Sequence, residues 1–413
     1  MPQYVIVGNG IAGVTAAQHI ARIDPSAEIH ILGAEPHLYY RRPMLWKHIA
    51  GEIQEPDLYF RPAEWYESQN IHVHMNALVV SLDPHARILT LADDNTFAYD
   101  KLLLATGSRP FVPPFKGADK TGVFTLRTLD DAQKIKAQAT NSHDAIVIGG
   151  GLLGLETAKS LLAPTRTVSV LEFMPHLLPQ QLCAEGAAVL QHLLEGMGLK
   201  ILTSASTKAI VGNGQVTGVQ LEDGRAIEGQ TVIVSAGIRP RIELAEKAHL
   251  ETRRGIIVDQ HMCTSDPYIY AAGDAAEANG TIYGIIPAAM EQARVAAANM
   301  VEQDSSIYNG TLRSTTLKVA GIDLTCLGNS NAADDEGWDT TKQMDQAAGI
   351  FKKLVLKDGQ ITGAVLLGDV QDTRAVQQLI QKQIDVSAYK HRLLSPDFDL
   401  AALARGEIQD SKI

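Results

Sequence analysis

Two glycine-rich turns, each set between an apolar run and an Ala- and Leu-rich stretch, constrain this chain of 413 residues more than any other feature. The first turn spans Gly8–Gly13 and follows the apolar residues 4–7, and the second spans Gly149–Gly154 and follows residues 145–148. The apolar runs predict strands and the stretches after the turns predict helices. This order is typical of a dinucleotide-binding fold, so its repetition predicts two such folds in one chain.

Both turns contain the G-x-G-x-x-G pattern, in which each glycine is required for a different steric reason. The first permits a sharp turn, the second lets the backbone approach a pyrophosphate, and the third lets the helix pack closely on the strand. The phosphates then lie at a helix N-terminus, where the N–H groups are free. The predicted dinucleotide contacts of the two turns are Gly8, Gly10, Gly13, Gly149, Gly151, Leu152 and Leu153.

An acidic residue follows the second predicted strand of each repeat. Strands are predicted at 28–32 and 167–171, and Glu35 and Glu172 come after them, about 20 residues beyond the last glycine. A carboxylate at that place accepts a hydrogen bond from a ribose hydroxyl. Because Glu172 would repel a 2′-phosphate and residues 173–176 contain no arginine, the sequence favours NADH over NADPH.

Charge and composition narrow the partners and the compartment. The net charge of −11 argues against nucleic acid and anionic membranes as main partners. No apolar run reaches the roughly 18 residues that a membrane span needs, and the first predicted strand begins too early for a signal peptide. We therefore expect a cytoplasmic protein with two or three domains.

The cysteines and histidines give no metal or dithiol motif. Cys183, Cys263 and Cys326 are far apart in the sequence and form no C-x-x-C pair. A dithiol redox centre or a cysteine-held cluster is therefore not expected. His72 and His74 share one face of a predicted strand, but two histidines are too few to predict a metal site.

Further motifs follow in a fixed order. The sequence Tyr-Asp-Lys-Leu-Leu-Leu-Ala-Thr-Gly occupies residues 99–107, Val-Ile-Val-Ser-Ala-Gly occupies 232–237, and Tyr-Ile-Tyr-Ala-Ala-Gly-Asp occupies 268–274. Together with the two turns, this series closely resembles the pyridine-nucleotide-dependent flavoprotein reductases of the glutathione-reductase fold. The resemblance covers almost the full length of the chain.

The resemblance implies an α/β fold class with two Rossmann-like dinucleotide-binding domains, the NADH domain being inserted in the FAD domain, plus a C-terminal α+β interface domain. The FAD domain would comprise 1–113 and 244–310, the NADH domain 114–243, and the interface domain 311–413. The first glycine turn would then bind FAD and the second NADH.

Residues outside the turns are assigned to the cofactor sites by the same resemblance. Asp274 would accept hydrogen bonds from the FAD ribityl chain. Arg42 and Arg127 are candidates for FAD phosphate or flavin contacts, although each could equally be a solvated arginine. The other residues assigned to the cofactor sites are Val79, Ala105, Thr106, Gly107, Arg109, Gly237 and Gly273.

The segment 39–47 contains no cysteine, which excludes single-cysteine peroxidases and coenzyme A disulfide reductases. It resembles the P-Y-x-R-P-P-L-S-K segment of ferredoxin and rubredoxin reductases, with departures at Tyr39, Met44 and Trp46. The resemblance implies hydride transfer from nicotinamide C4 to flavin N5, with Lys47 and Glu156 as an ion pair near N5. The alternative is that these two residues lie unrelated on the surface.

The C-terminal part resembles NADH:rubredoxin reductases and the flavin half of assimilatory nitrite reductases at residues 315–323 and 351–356. The resemblance places Lys318 near the flavin pyrimidine edge. Because the chain carries no cysteine-rich cluster, nitrite reduction by this chain alone is not expected. The Asp358-Gly359 pair predicts a hairpin, and Asp372 is predicted to cap a helix.

Without a redox centre of its own beyond the flavin, the chain must pass its electrons on. We expect a small rubredoxin- or ferredoxin-type carrier, which is usually acidic and so needs a basic docking surface. Two sets of residues could supply it, with solvated charge as the alternative for both: Arg41, Arg42 and Lys47, or Lys352, Lys353 and Lys357. NADH oxidase activity, an NADH-sensing role like that of apoptosis-inducing factors, and a homodimer also remain open.

Overall fold

The computed structural model describes residues 2–319, 321–332 and 337–408, without the side chains of 315–319. The chain divides into two units by its internal contacts. Unit 1 comprises Met1–Phe111 and Ile238–Thr311, and unit 2 comprises Val112–Gly237 and Leu312–Ile413.

The strands, in chain order, are β1 Gln3–Val7, β2 Glu28–Leu32, β3 Ile71–His74, β4 Val79–Asp83, β5 Ile88–Leu91, β6 Thr96–Ala98, β7 Lys101–Leu104, β8 Ser108–Pro110, β9 Val123–Phe124, β10 Asp144–Ile148, β11 Thr167–Leu171, β12 Leu199–Leu202, β13 Thr207–Val211, β14 Gly218–Leu221, β15 Ala226–Glu228, β16 Thr231–Val234, β17 Ile238–Pro240, β18 Ile256–Val258, β19 Ile269–Ala271, β20 Ala276–Ala278, β21 Ser314–Val319, β22 Ile322–Gly328, β23 Asp339–Asp345, β24 Ile350–Lys357 and β25 Gln360–Leu367. The α-helices are α1 Ile11–Ile23, α2 Leu45–Ala50, α3 Ala63–Ser68, α4 Leu129–Thr140, α5 Leu152–Ser160, α6 Ala184–Gly196, α7 Glu243–Lys247, α8 Ile286–Val301, α9 Thr373–Lys382 and α10 Leu400–Arg405.

A parallel five-stranded sheet in the order β19-β7-β1-β2-β3 forms the centre of unit 1. In the central strand β1, the neighbouring side chains of Val5 and Ile6 point to opposite faces of the sheet, and both are fully buried. The helices α1 and α8 pack against each other and against the strands, while β2 and β7 pair with β1 on either side. Burial on both faces explains why β1 reads as a continuous apolar run rather than an alternating one. The sheet β4-β5-β6 adds Leu82 and Leu89 to the same core.

Unit 2 repeats this arrangement with a parallel sheet in the order β12-β11-β10-β16-β9. The central strand β10 is paired with β11 on one side and with β16 on the other, as β1 is paired with β2 and β7. In both sheets the chain leaves the central strand through a glycine turn into a helix. The two predicted strand–turn–helix–strand segments are confirmed, and β2 and β11 have the predicted bounds.

The rest of unit 2 contains an antiparallel sheet in the order β21-β22-β25-β24-β23, with α9 and α10 packed on it. The predicted Asp-Gly hairpin connects β24 and β25, where Lys357 pairs with Gln360. Asp358 and Gly359 have φ values of 49° and 76°. Positive φ at both central residues matches the twist of the flanking strands, which is why Asp-Gly predicts this turn.

Of two expectations for this sheet, the helix start at Asp372 is confirmed without a side-chain cap, and the exposure of two lysines is wrong. Asp372 stands at the N-cap position of α9, but its side chain makes no capping hydrogen bond; its Oδ2 instead accepts one from Lys352 Nζ at 3.2 Å. Lys352 and Lys353 are only 8% and 2% exposed, so they are neither solvated charges nor a docking surface. Lys352 Nζ also lies 2.7 Å from Asp369 Oδ2, which compensates the buried charge.

The predicted fold class, with two Rossmann-like folds and a C-terminal α+β part, is confirmed. The domain boundaries stay a prediction. Residues 238–240 form β17, which pairs antiparallel with β8 inside unit 1. Within the residues that the structure describes, no helix combines the length and the apolar character needed to cross a membrane.

Candidate dinucleotide-binding sites

The first glycine turn connects β1 to α1 and is closed by backbone on two sides. Gly8 has φ of +120°, and a Cβ there would overlap the carbonyl oxygen of Ala105. A Cβ on Gly13 would overlap the carbonyl oxygen of Gly8. At Gly10, in contrast, a Cβ would meet nothing within 4 Å. The outer glycines are thus required by the fold, and the middle one leaves an open place beside the turn.

The second glycine turn, between β10 and α5, has the same stereochemistry. Gly149 also has φ of +120°, and its Cβ would overlap the carbonyl oxygen of Ser235. A Cβ on Gly154 would overlap the carbonyl oxygen of Gly149, whereas one on Gly151 would meet nothing within 4 Å. In dinucleotide-binding folds the middle glycine lets a pyrophosphate approach the backbone, and the open place in each turn fits that role.

The helices that follow the turns are prepared for an anion. Gly10 and Gly151 are the N-caps of α1 and α5, and neither helix has a side-chain cap or an acidic residue in its first turn. By comparison, α4 begins with a capping box from Thr128 and has Asp130 and Asp131 in its first turn. Uncapped N–H groups at the positive end of a helix dipole favour bound phosphate. Both turns therefore fit the pyrophosphate of a dinucleotide.

Glu35 lies after β2 and is held by two donors from the segment 39–44. Tyr40 Oη donates to Glu35 Oε2 at 2.5 Å, and Arg42 Nη2 donates to Glu35 Oε1 at 2.6 Å. Arg42 Nη1 also donates to Tyr40 Oη at 2.7 Å. Arg42 is thus an orienting partner of Glu35, which remains half-buried and able to accept a further hydrogen bond.

Glu172, the matching acid in unit 2, is buried and braces the second glycine turn. Its Oε2 accepts the Gly150 N–H at 2.6 Å, and its Oε1 accepts the Met174 N–H at 2.7 Å. The predicted ribose-binding carboxylate therefore also shapes the turn. Each carboxylate oxygen can still accept a second hydrogen bond.

The ends of β7 and β19 bring several predicted FAD-site residues together in unit 1. Ser108 Oγ donates to Asp274 Oδ2 at 2.7 Å, which orients the carboxylate after β19. Thr106 Oγ1 donates to the Arg241 carbonyl at 2.8 Å, and Gly107 has a positive φ. Arg109 forms an ion pair with Glu243 on the surface. Ala105 follows β7 directly, one residue before Thr106.

Gly273 begins the short 3₁₀ helix Gly273–Ala275 after β19 and packs against α1 and α8. Its N–H donates to Gln292 Oε1 at 2.9 Å, and Gln292 is 1% exposed. A Cβ on Gly273 would lie 3.1 Å from the Cβ of Ala12. The glycine therefore lets the end of β19 approach the first turn of α1.

The remaining predicted site residues are distributed over both units. Lys47 lies in α2 of unit 1, with Nζ 5.4 Å from the centre of the Trp46 ring. Glu156 is buried in α5 of unit 2, so the ion pair between these residues stays a prediction. Val79 begins β4 in unit 1, and the others belong to unit 2 at the ends of its strands and helices: Arg127, Leu152, Leu153 and Gly237. The side chain of Lys318 lies outside the described residues.

The three cysteines lack the properties of redox nucleophiles. Burial raises the pKa of the Cys263 thiol to about 11 and that of Cys326 to about 12. The pKa of Cys183 is also raised, first by burial. Since the thiolate is the reactive form, these side chains remain unreactive thiols at neutral pH.

Three contacts that support the sites were not predicted from the sequence. One involves Tyr40, whose partner Glu35 lies in the same connection after β2. The other two involve Ser108 and Gln292, whose partners follow β19, 166 and 19 residues away in sequence. Of the three, Gln292 is the one that the sequence could best have indicated, because it is a polar amide inside the Ala-rich stretch that forms α8. Asn9 is a further candidate: its Nδ2 donates to the His37 carbonyl at 3.2 Å, and its buried Oδ1 has no described partner.

The two histidines of β3, His72 and His74, have a third histidine as a neighbour that the sequence did not indicate. His30 on β2 lies between His72 and His74 of β3, and His30 Nδ1 is 2.9 Å from His74 Nε2. Among the described residues, no group of three or more His, Cys, Asp or Glu side chains has a geometry that could hold a metal ion.

Comparison with known proteins agrees with this geometry. Residues 2–298 match the family model described as pyridine nucleotide-disulphide oxidoreductase, and residues 314–384 match that of the rubredoxin NAD⁺ reductase C-terminal domain. The NADH-rubredoxin oxidoreductase of Clostridium acetobutylicum is 31% identical over 93% of this chain and 94% of its own. A crystal structure of a ferredoxin reductase from Rhodopseudomonas palustris is 28% identical, with a TM-score of 0.88 over 98% of this chain and 100% of its own.

A nitrite reductase [NAD(P)H] of Bacillus subtilis is 39% identical over 93% of this chain but only 48% of its own length. The chain thus spans about half the length of this relative and of others like it. The predicted oxidoreductase class and the predicted cofactors, FAD and NADH, are confirmed. The chain belongs to the pyridine nucleotide-disulphide oxidoreductase family.

Proposed function

We propose that this chain takes hydride from NADH onto FAD and passes the electrons to a small one-electron carrier of the rubredoxin or ferredoxin type. The observation that carries the proposal is the pair of glycine turns with identical stereochemistry, one in each parallel sheet. FAD, when bound, supplies a group that accepts two electrons together and releases them singly. Two dinucleotide sites in one chain suit such an exchange.

The residues of unit 1 would hold FAD. The open place at Gly10 and the uncapped N–H groups of α1 fit its pyrophosphate, and Glu35 fits a ribose hydroxyl. Asp274, oriented by Ser108, would accept from the ribityl hydroxyls. These groups bind and orient, because the reaction depends on positioning rather than on a general base.

The residues of unit 2 would hold NADH. Gly151 leaves the matching open place, and Glu172 offers a buried carboxylate to a ribose hydroxyl. A 2′-phosphate beside that carboxylate would bring like charges together, so we propose NADH rather than NADPH as the donor. Lys47, paired with Glu156, would place a cation beside the flavin and favour negative charge there.

The choice of a protein carrier is supported by the unreactive cysteines and by the relatives named for rubredoxin and ferredoxin. A disulfide substrate would need a thiolate that these raised pKa values do not provide. Nitrite reduction is not part of the proposal.

The test is anaerobic stopped flow of the FAD-loaded protein. NADH should bleach the flavin absorbance rapidly, and oxidised rubredoxin or ferredoxin should restore it faster than air does. Reoxidation by air ahead of every carrier would favour an NADH oxidase instead. Very slow bleaching with a long-lived charge-transfer band would favour an NADH-sensing role.

We also propose a cytoplasmic location and a homodimer formed through the C-terminal part. Cell fractionation tests the first proposal. Light scattering of the purified protein tests the second, and a single mass near 44.5 kDa at all concentrations would contradict it.

A further inference from the structure

A cavity of about 520 Å³ in unit 1 lies between one face of α1, one face of α8 and the segment 39–44. From α8 come Ile286, Met290 and Arg294, which are four residues apart and so lie on one helix face. From α1 comes a parallel stripe that begins at Ile11 and ends at Arg22. Each of the two stripes begins at an isoleucine and ends at an arginine.

The charge of the cavity is positive although the chain carries −11. Its lining includes the cations Arg22, Arg41 and Arg294 and contains no Asp or Glu. Within the described part of the chain, neither Arg22 nor Arg294 forms an ion pair or a side-chain hydrogen bond. The pKa of His19 is lowered first by burial and then by the charges of Arg22 and Arg294, so both arginines act on the same space.

The floor of the cavity is apolar and partly open to solvent. Ile286 is 42% exposed, and the rings of Tyr39 and Phe60 pack with their centres 5.6 Å apart. An apolar centre surrounded by charged groups is the usual composition of a protein-docking surface, in which the centre provides affinity and the rim provides specificity.

We propose that this cavity is the docking site for the electron carrier, whose acidic face would pair with Arg22 and Arg294 while one apolar side chain enters between α1 and α8. The proposal rests on the proposed function. The sequence positions of two lining residues support this docking site, because they adjoin predicted FAD-site residues. Ile11 follows the open Gly10, and Met44 lies three residues before Lys47. A carrier at this place would dock on the same elements that would hold FAD. A positive surface also lets an acidic partner approach a chain that repels it elsewhere.

The test compares the FAD-loaded wild type with the double variant Arg22→Gln/Arg294→Gln at several NaCl concentrations. We expect the KM for oxidised rubredoxin to rise about tenfold at low salt and its salt dependence to become shallower. NADH-dependent reduction of ferricyanide, which needs no docking surface, should be unchanged. Arg253→Gln is the control, since it removes one charge from the same unit outside the cavity.

A second variant tests the apolar centre. Ile286→Ser should raise the KM for rubredoxin several-fold without changing the salt dependence, because it removes apolar contact and no charge. An unchanged KM and salt dependence in the double variant would overturn the docking site but leave the proposed function intact. A wild type that reduces ferricyanide but no carrier would overturn the proposed function, and the docking site with it.

Discussion

At the scale of single residues, the two glycine turns show that the same residue type serves two purposes. Gly8 and Gly13 are needed by the fold, because any side chain would overlap backbone oxygens. Gly10 has no such neighbour, so packing does not explain its lack of a side chain, and we propose that a bound pyrophosphate does. Because of this difference, glycine-to-alanine substitutions at the two kinds of position separate an effect on FAD binding from an effect on folding.

We expect Gly10→Ala to fold with a cost below about 1 kcal/mol but to lose FAD, because the new methyl group would occupy the place of the pyrophosphate. Gly13→Ala should instead destabilise the protein by about 1–3 kcal/mol through overlap with the Gly8 carbonyl. Urea unfolding and flavin absorbance of the purified proteins measure both effects. A yellow, fully loaded Gly10→Ala protein would contradict the assignment.

For Lys47→Ala we expect FAD to stay bound while the rate of flavin reduction by NADH falls about tenfold, because one oriented cation is lost. Lys47→Arg keeps the charge and serves as the control. Anaerobic stopped flow gives the rate, and a redox titration gives the flavin potential. If neither changes, Lys47 has no part in the reaction.

Glu172→Gln should raise the KM for NADH about tenfold, which is about 1.4 kcal/mol, and narrow the preference for NADH over NADPH. The reason is that an amide replaces one of the two oxygens that accept the Gly150 and Met174 N–H groups. Glu228→Gln, an exposed change in the same unit, should leave both values unaltered. A wild type that prefers NADPH would refute our interpretation of the carboxylate.

At the scale of elements, the way strands assemble into sheets determines which lysine and histidine side chains are buried and which groups they contact. Lys352 and Lys353 are both buried on the inner strand β24, and Lys352 forms ion pairs with Asp369 and Asp372. Parallel pairing of β2 with β3 brings His30 against His74. The pKa of His74 is lowered first by burial and then by its histidine neighbours, and burial also lowers that of His30.

This histidine pair predicts how stability depends on pH. The neutral forms are favoured in the folded state, so the unfolded chain binds protons first, near its ordinary pKa of about 6.5. Stability should therefore be complete above that pH and decrease as the pH falls from 7.5 to 5.5. His74→Gln should flatten the decrease in urea titrations, and the exposed His85→Gln should not. An equal slope in all three proteins would exclude the pair as the cause.

At the scale of the whole molecule, unit 1 is built from two segments that are far apart in the sequence, and the predicted FAD contacts come from both. Thr106 and Asp274 belong to different segments, although each follows a strand of the same sheet. A ligand that contacts both segments stabilises the unit, since it binds the folded state alone.

We therefore expect FAD at 100 times its Kd to stabilise unit 1 by about 2.7 kcal/mol. Trp46 and Trp65 report on this unit and Trp338 on unit 2, so fluorescence of a Trp338→Phe variant follows unit 1 selectively. Gly10→Ala should show no such shift on addition of FAD. A wild-type unfolding midpoint that is independent of FAD would contradict the assignment of the first turn.

The sequence by itself determined the two dinucleotide turns, the strands around them and the Asp-Gly hairpin, because the backbone conformations at Gly8, Gly149 and Gly359 depend on local residue types. Only the tertiary structure decided which groups meet across long stretches of chain. Ser108 with Asp274, and Arg22 with Arg294 around one cavity, are examples. Such contacts depend on how the elements pack against one another, and the sequence spacing of these residues does not indicate that packing.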